Sequence, residues 1–286
     1  MFVIVGWAIA LVCIFGVYIV HGGNIQVILK ALPFEMITIF VAAMGAFLAN
    51  NQMKVIKASI AGLGRCFKGS KFSKARYMEL LALLYEILQK ARKEGLMSIE
   101  NDVEEPHSSP LFQKYPTVGG DHHVVEFITD YLRMMVSGNL NAHEIESLMD
   151  SEIETHHHEA HAPAAAVARL AGALPAFGIV AAVLGVVNTM GSVGQPPAVL
   201  GAMIGSALVG TFLGILLSYA FAEPLAGLLE QKVDEATKEL QCIKTTLLAS
   251  MQGYAPQVAI EFGRKVLYST DRPSFGELEG HVKGKK

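Results

Sequence analysis

The sequence predicts an all-α integral membrane protein with four transmembrane helices, a large helical cytoplasmic loop and a helical C-terminal tail. Three observations carry this reading. Leu170 to Ala222 contains no Asp, Glu, Lys, Arg or His; about 20 apolar residues cross a bilayer, so this stretch holds two crossings. Residues 1–20 carry no charged side chain, and a further apolar run covers 33–50. Much of the remainder places apolar residues three and four apart, the period of an amphipathic helix. With 52% apolar residues the chain falls in the membrane class, and a net charge of −3 gives no reason to expect nucleic acid. The expected organisation is 1–50 (helices 1 and 2), 51–168 (cytoplasmic helical domain), 169–223 (helices 3 and 4) and 224–286 (cytoplasmic C-terminal helices and tail).

The first run, MFVIVGWAIALVCIFGVYIV, lacks the basic start and small-residue cleavage site of a signal peptide, so a retained helix is expected. A second helix is expected over 33–50, with Pro33 at its start and Glu35 in the first turn, near the interface and within reach of water. The preceding NIQVILKAL (24–32) either lies in the interface or extends the first hairpin. Segment 51–168 holds twelve Lys and Arg, seven of them between Lys54 and Arg76, and the tail beyond Ala222 holds nine. Only Lys30 lies in the short connections on the other side, so the positive-inside rule puts the loop and both termini in the cytoplasm.

Within the loop, Tyr77, Leu80, Leu81, Leu84, Tyr85 and Leu88 line one face of a helix over 72–93, ended by Glu94-Gly95. A turn of helix capped by Ser98 opens 97–105, a Pro- and Gly-containing loop covers 106–120, and a second amphipathic helix covers 122–136. A further helix over 140–160 leads towards Arg169. His156, His157, His158 and His161 look like a metal tract, but consecutive histidines on a helix point in different directions and no second ligand set appears. No metal site is expected there, nor at His122-His123. Cys13, Cys66 and Cys242 are far apart and imply no disulfide framework.

The third and fourth crossings are expected at about 170–190 and 198–222, joined by a tight hairpin rich in Gly, Ser and Pro. Both are built of small residues that let helices approach closely. Gly178, Ala182 and Gly185 share one face; Ala207, Thr211, Gly214 and Ser218 share another. Such faces serve either ordinary helix packing or the enclosure of another helix or a polar path. A long amphipathic helix over 225–252, one more at 257–268, and a charged tail expected to be disordered close the chain.

No Walker loop, GxSxG, CxxC or HExxH motif occurs, so neither enzyme chemistry nor a cofactor is expected. The crossings lack a buried carboxylate, with Glu35 and Glu223 at their edges, so any titrating group must come from a partner.

The runs LPAFGIVAAVLGVV (174–187), GTFLGILLSYAFAEPLA (210–226), GYAPQVAIEFGRKVLYSTDRPSF (253–275) and ARKEGLMSIENDVEEP (91–106) closely resemble the MotA family of flagellar motor stator subunits. The resemblance covers essentially the whole chain. It implies an inner-membrane complex, a homo-pentamer around two copies of MotB, in which MotB supplies the proton-accepting Asp. Proton flow then drives torque on the rotor protein FliG. By the same resemblance, Arg92, Glu100 and Glu152 contact the rotor, while Pro175, Ala182, Thr211 and Pro224 serve the ion path and its coupling to the loop. Sodium-type relatives carry Thr where this chain has Ala182; Ala182 offers no oxygen ligand, which favours protons as the coupling ion. The alternative is an energy transducer of the ExbB/TolQ kind, which normally has three crossings and lacks the large loop.

Overall fold

The computed structural model describes residues 2–138 and 141–284, and no strand occurs among them. The chain divides into two compact units: residues 1–69 with 159–231, and residues 70–158 with 232–286. Among the described residues, four helices are long and apolar enough to cross a membrane.

The first unit opens with α1 (Phe2–Val20), which buries none of its residues, as expected of a helix whose solvent is lipid. Trp7 is its anchor: its ring lies 5.1 Å from Phe221 and 5.7 Å from Phe67. Helix α2 runs unbroken over Ile25–Asn50, capped by the Asn24 side chain, which accepts from the Gln26 N–H at 3.0 Å. The expected start at Pro33 is therefore corrected. Pro33 lies inside the helix, a position tolerated in membrane spans because neighbouring turns adjust. Just beyond it the backbone widens into a π-helical turn at Ile37–Val41.

Helix α3 (Met53–Cys66) follows, a basic amphipathic element that the sequence reading left unassigned. It buries Cys66 beside Ala164, Val167, Ala226 and Leu229, and Ile56 beside Phe47 and Ala166. Asn51 accepts a hydrogen bond from Arg169 at 2.9 Å, which fixes the one cation beside the apolar stretch.

In the second unit, α4 (Lys74–Glu94) is capped by Ser73, whose hydroxyl accepts from the Arg76 N–H at 3.3 Å, and ends at Gly95, where φ of +89° requires glycine. A 3₁₀ turn (Leu96–Ile99) leads into α5 (Glu100–Glu104). Ser98 does not cap it; its hydroxyl donates back to Gly95 O. The expected loop at 106–120 contains two single turns, α6 (Pro110–Gln113) and α7 (Pro116–Gly119), each started by a proline. Helix α8 (His122–Ser137) matches the expected second amphipathic helix.

The two longest helices belong partly to each unit. Helix α9 is continuous over Ala142–Met190, 49 residues, so the expected break between a loop helix and the third crossing does not exist. Leu140, the expected start, lies outside the described residues. After the hairpin, α10 runs over Pro197–Met251, 55 residues, with Pro197 at its first turn. The third and fourth spans thus carry on from the apolar stretch without a loop. Residues Pro256–Val266 form α11.

The tail differs from expectation. Phe275–Lys283 is a helix, α12, and Ser274 and Glu277 form a reciprocal capping box at its start. Leu278 is buried in the same core as Leu80, Leu84, Ile243 and Ile260. The sequence pattern is short, and the capping box supplies the start signal that hydropathy lacks. Lys285 and Lys286, also part of the expected disordered tail, lie outside the described residues.

Candidate functional site

The intramembrane site is built by the hairpin of α9 and α10 in the first unit. Its glycines are where the helices touch. A Cβ at Gly178 would lie 2.8 Å from Gly210 O and 3.0 Å from Gly214 Cα; one at Gly185 would lie 2.6 Å from the Ala207 Cβ. Backbone cannot yield as a side chain can, so glycine is required at Gly178 and Gly214 for this approach. The two small-residue faces thus pack chiefly on one another. Ala182 and Thr211 remain half-buried within them.

One carboxylate enters this contact. Because α2 begins at Ile25, Glu35 stands about 15 Å along the helix at 1.5 Å per residue, not in its first turn. Its Oε2 is buried with no hydrogen-bond partner among the described residues. A Cβ at Gly210 would lie 2.8 Å from that oxygen, 3.2 Å from the Ala181 Cβ and 3.3 Å from Ala182 N. The expectation that Glu35 stands at an edge is therefore corrected: the side chain is half-buried within the span, and one of its carboxyl oxygens is enclosed in the helix contact. The error came from starting the helix eight residues late.

The two prolines occupy different settings. Pro175 lies inside α9, where its ring removes one backbone hydrogen bond. It packs on α10: a Cβ at Gly214 would lie 2.8 Å from Leu174 O and 3.2 Å from the Pro175 Cα. Pro224 is exposed, one residue beyond a π-helical turn at Leu217–Ala222 that buries Ser218. A proline clashes with the carbonyl four residues back, and the widened turn makes room for that clash.

In the second unit, Arg92 and Glu100 are both exposed, on either side of the Gly95 turn. Among the described residues neither makes an ion pair, with each other or elsewhere. Glu152 differs: its Oε2 accepts from the Tyr131 hydroxyl at 2.6 Å, and Tyr131 is a core residue. Burial and the Glu152 carboxylate together push the Tyr131 phenol up, so it remains a donor.

The histidine tract does not converge. His157 Nδ1 meets Thr237 Oγ1 at 3.0 Å, His158 faces Glu154 at 3.6 Å, and His161 reaches Glu230 at 3.1 Å. The ring of His156 lies 6.2 Å from that of His123. His122, His123 and Glu126 could hold a metal by proximity, with ligand atoms within 4.8 Å of one another, but all three are exposed on one helical turn.

The geometry therefore offers two separate assets: a close-packed membrane hairpin holding a carboxyl group, and two opposite charges, without an ion pair among the described residues, on the helical core of the second unit. Two family models match the chain, Motility protein A N-terminal over residues 4–95 and the MotA/TolQ/ExbB proton channel family over residues 121–242. Motility protein A of Escherichia coli is 49% identical, with 100% of this chain and 96% of the relative covered. The chain belongs to the motility protein A family. Chemotaxis protein LafT of Vibrio parahaemolyticus is 36% identical over 94% of each chain. The fold is similar to the flagellar MotAB stator complex from Bacillus subtilis, with a TM-score of 0.71 and 27% identity over 90% of this chain and 92% of that one. It is similar also to C. jejuni MotAB, with a TM-score of 0.76 and 23% identity over 95% and 98%.

Within this motility protein A fold, the residues singled out by sequence fall into the two assets. Pro175, Ala182, Thr211 and Pro224 all lie on the hairpin, and Arg92, Glu100 and Glu152 on the helical core of the second unit. Glu35 is the residue that sequence reasoning missed. A signal existed, since the mainly apolar run from Ile25 to Asn50 carries only two charged residues, Lys30 and Glu35.

Proposed function

We propose that this chain is a flagellar stator subunit that, with MotB, converts proton flow across the bacterial inner membrane into torque on the rotor protein FliG. The observation that carries the reading is 49% identity to a motility protein A along the whole chain. MotB as the partner is supported by fold likeness to MotAB complexes. The finer assignments are part of the same proposal: five copies around two MotB helices, both termini cytoplasmic, and a lipid-facing surface formed chiefly by α1.

In this reading the hairpin is the lining and the charged core is the output. MotB contributes the Asp that takes the proton. Ala182 supplies no oxygen for a desolvated sodium ion, whereas a proton needs only a carboxyl and a water path, so the coupling ion is the proton. Arg92 and Glu100 suit a rotor contact because exposed pairs are weak and screened by salt, as an interaction that forms and breaks at each step must be. Pro175, which packs against Gly214, and Pro224 lie towards the same end of the hairpin, away from its tip, and transmit the movement of the lining to the core.

The test is complementation. The chain, with its cognate MotB, should restore swimming to a strain lacking its own stator. Swimming should persist without sodium and stop with a protonophore. Dependence on sodium would overturn the ion assignment; restoration of a periplasm-spanning transport system instead of swimming would favour the ExbB/TolQ kind of transducer.

A further inference from the structure

We propose that Glu35 is a protonatable residue of the intramembrane site, exchanging a proton at the level of Ala182 and Thr211. The proposal rests on the stator reading and adds a carboxyl of this chain to the one assigned to the partner. Its basis is placement. The Glu35 Oε2 is buried and without a hydrogen-bond partner among the described residues. It occupies the space that glycine leaves open at Gly210, the residue before Thr211, where a Cβ would meet it at 2.8 Å and Ala182 N at 3.3 Å.

Nothing nearby among the described residues offsets a charge there. The stretch from Leu170 to Ala222, which packs on α2, carries no charged or imidazole side chain; Tyr219 is its one titratable group and is exposed. Helix α1 contributes Cys13 and Tyr18 and no charge; the Tyr18 hydroxyl lies 3.5 Å from Asn24 O. On α2 itself Lys30 is exposed and, five residues away, about 140° round the helix. Thr38, one turn on, spends its hydroxyl on Phe34 O at 3.0 Å. An ionised oxygen in this position has lost its hydration and gained no donor, which is costly in a membrane. A neutral carboxyl avoids that cost. The group therefore suits a cycle: the carboxylate takes a proton where water reaches it, seats against Gly210 as the acid, and yields the proton to water or to the partner's carboxylate. Only O–H bonds form and break.

The test uses the full complex in cells lacking their own stator. Glu35→Gln keeps the shape and removes the titration. Motor rotation should slow severalfold and lose its response to external pH, with membrane abundance and MotB capture unchanged; Glu35→Asp should restore much of the speed. Wild-type speed and pH response in Glu35→Gln would overturn the proposal. Infrared pH-difference spectra of the purified complex, labelled on glutamate carboxyls, give an independent readout. A protonated-carboxyl band that disappears in Glu35→Gln supports the proposal, and a spectrum identical to wild type refutes it. This measurement needs no rotation, so it separates a failure of Glu35 from a failure of the stator reading, which would appear as wild-type chain that does not restore swimming.

Discussion

Arg76 and Glu239, 163 residues apart, form a two-pronged ion pair in the core of the second unit. Arg76 Nε donates to Oε1 at 2.6 Å and Nη2 to Oε2 at 3.0 Å, with side-chain exposures of 6% and 2%. The same guanidinium donates to Thr117 O at 2.5 Å and to Asp121 at 2.7 Å. Arg76 thereby joins α4, the turn before α8, and α10. Burial alone would lower the guanidinium, but Glu239 and Asp121 outweigh it and hold the charge. Burial pushes the Glu239 carboxyl up, against the pull of Arg76.

Removing Arg76 leaves Glu239 buried without its ion-pair partner, while Asp121 keeps Lys71 at 2.6 Å. Arg76→Ala is expected to destabilise the core of the second unit by about 3–5 kcal/mol, whereas Arg76→Met with Glu239→Leu should recover most of that loss. Pulse proteolysis of the detergent-solubilised full chain in graded urea reads both. Acid should weaken the cluster through Asp121. Burial raises that carboxyl, yet Lys71 and Arg76 hold it below its ordinary 3.8. Its contribution is full above 3.8 and is lost as pH falls through the lowered folded value. Asp121→Asn should remove that acid-sensitive component.

The hairpin gives a second prediction. Gly178→Ala puts a Cβ 2.8 Å from Gly210 O and 3.0 Å from Gly214 Cα, so the helices must part. The expected cost is about 1–3 kcal/mol, the range for overpacking. Gly227→Ala, where nothing lies within 4 Å, should instead be neutral or stabilise its helix by about 0.5–1 kcal/mol. Cysteine pairs across α9 and α10 would report the separation through their cross-linking rate. Equal rates in wild type and Gly178→Ala would show that the approach is not limiting.

What was legible in the sequence divides along physical lines. Charge-free length gave the four crossings, because hydrocarbon tolerates little else over that distance. The period of three and four gave α4 and α8. Helix ends were the weak point. Pro33 reads as a start, and Arg169 as a boundary, yet α2 and α9 pass through both, because membrane neighbours and long-range packing sustain a helix that local signals would end. That single displacement hid Glu35, since a carboxylate in a first turn is unremarkable and one in mid-span is not. Helix α12 was missed because its burial rests on Leu278 meeting a core assembled from distant segments. Arg92 and Glu100 carry no distinguishing physical mark in the sequence; resemblance alone picked them out.

The structure separates those two from Glu152. Arg92→Glu and Glu100→Lys remove no intramolecular ion pair among the described residues, so each should leave stability within about 0.5 kcal/mol while reducing swimming. The double reversal should not swim normally, because no internal pair is there to be restored. Full swimming in the double variant would count against a rotor contact. Glu152→Gln, by contrast, weakens the acceptor of the Tyr131 hydroxyl and should cost about 1 kcal/mol of stability. Tyr131→Phe should mimic it if Glu152 acts through the core, and should leave motility untouched if Glu152 acts on the rotor.

The C-terminal helix supplies the last prediction. Its start depends on Ser274 and Glu277, whose side chains accept from each other's backbone N–H at 3.3 and 2.7 Å. Glu277 also receives Lys74 at 2.6 Å, which ties α12 to α4. The Lys74 hydrogen bond first, and the Ser274 backbone and side-chain bonds after it, pull the exposed Glu277 carboxyl down to about 2. A depressed carboxyl contributes above its ordinary value of 4.5 and loses that contribution as pH falls towards about 2. The cap is therefore intact at any pH at which a cell swims. Ser274→Ala removes one half of the box at a cost of about 1 kcal/mol, and Leu278→Ala removes the anchor that the core receives, at about 2–5 kcal/mol. Limited proteolysis should release the segment after Pro273 faster in both variants, and much faster in Leu278→Ala. Unchanged protection in Leu278→Ala would mean that the helix holds to the core through its cap and the Lys74 pair alone.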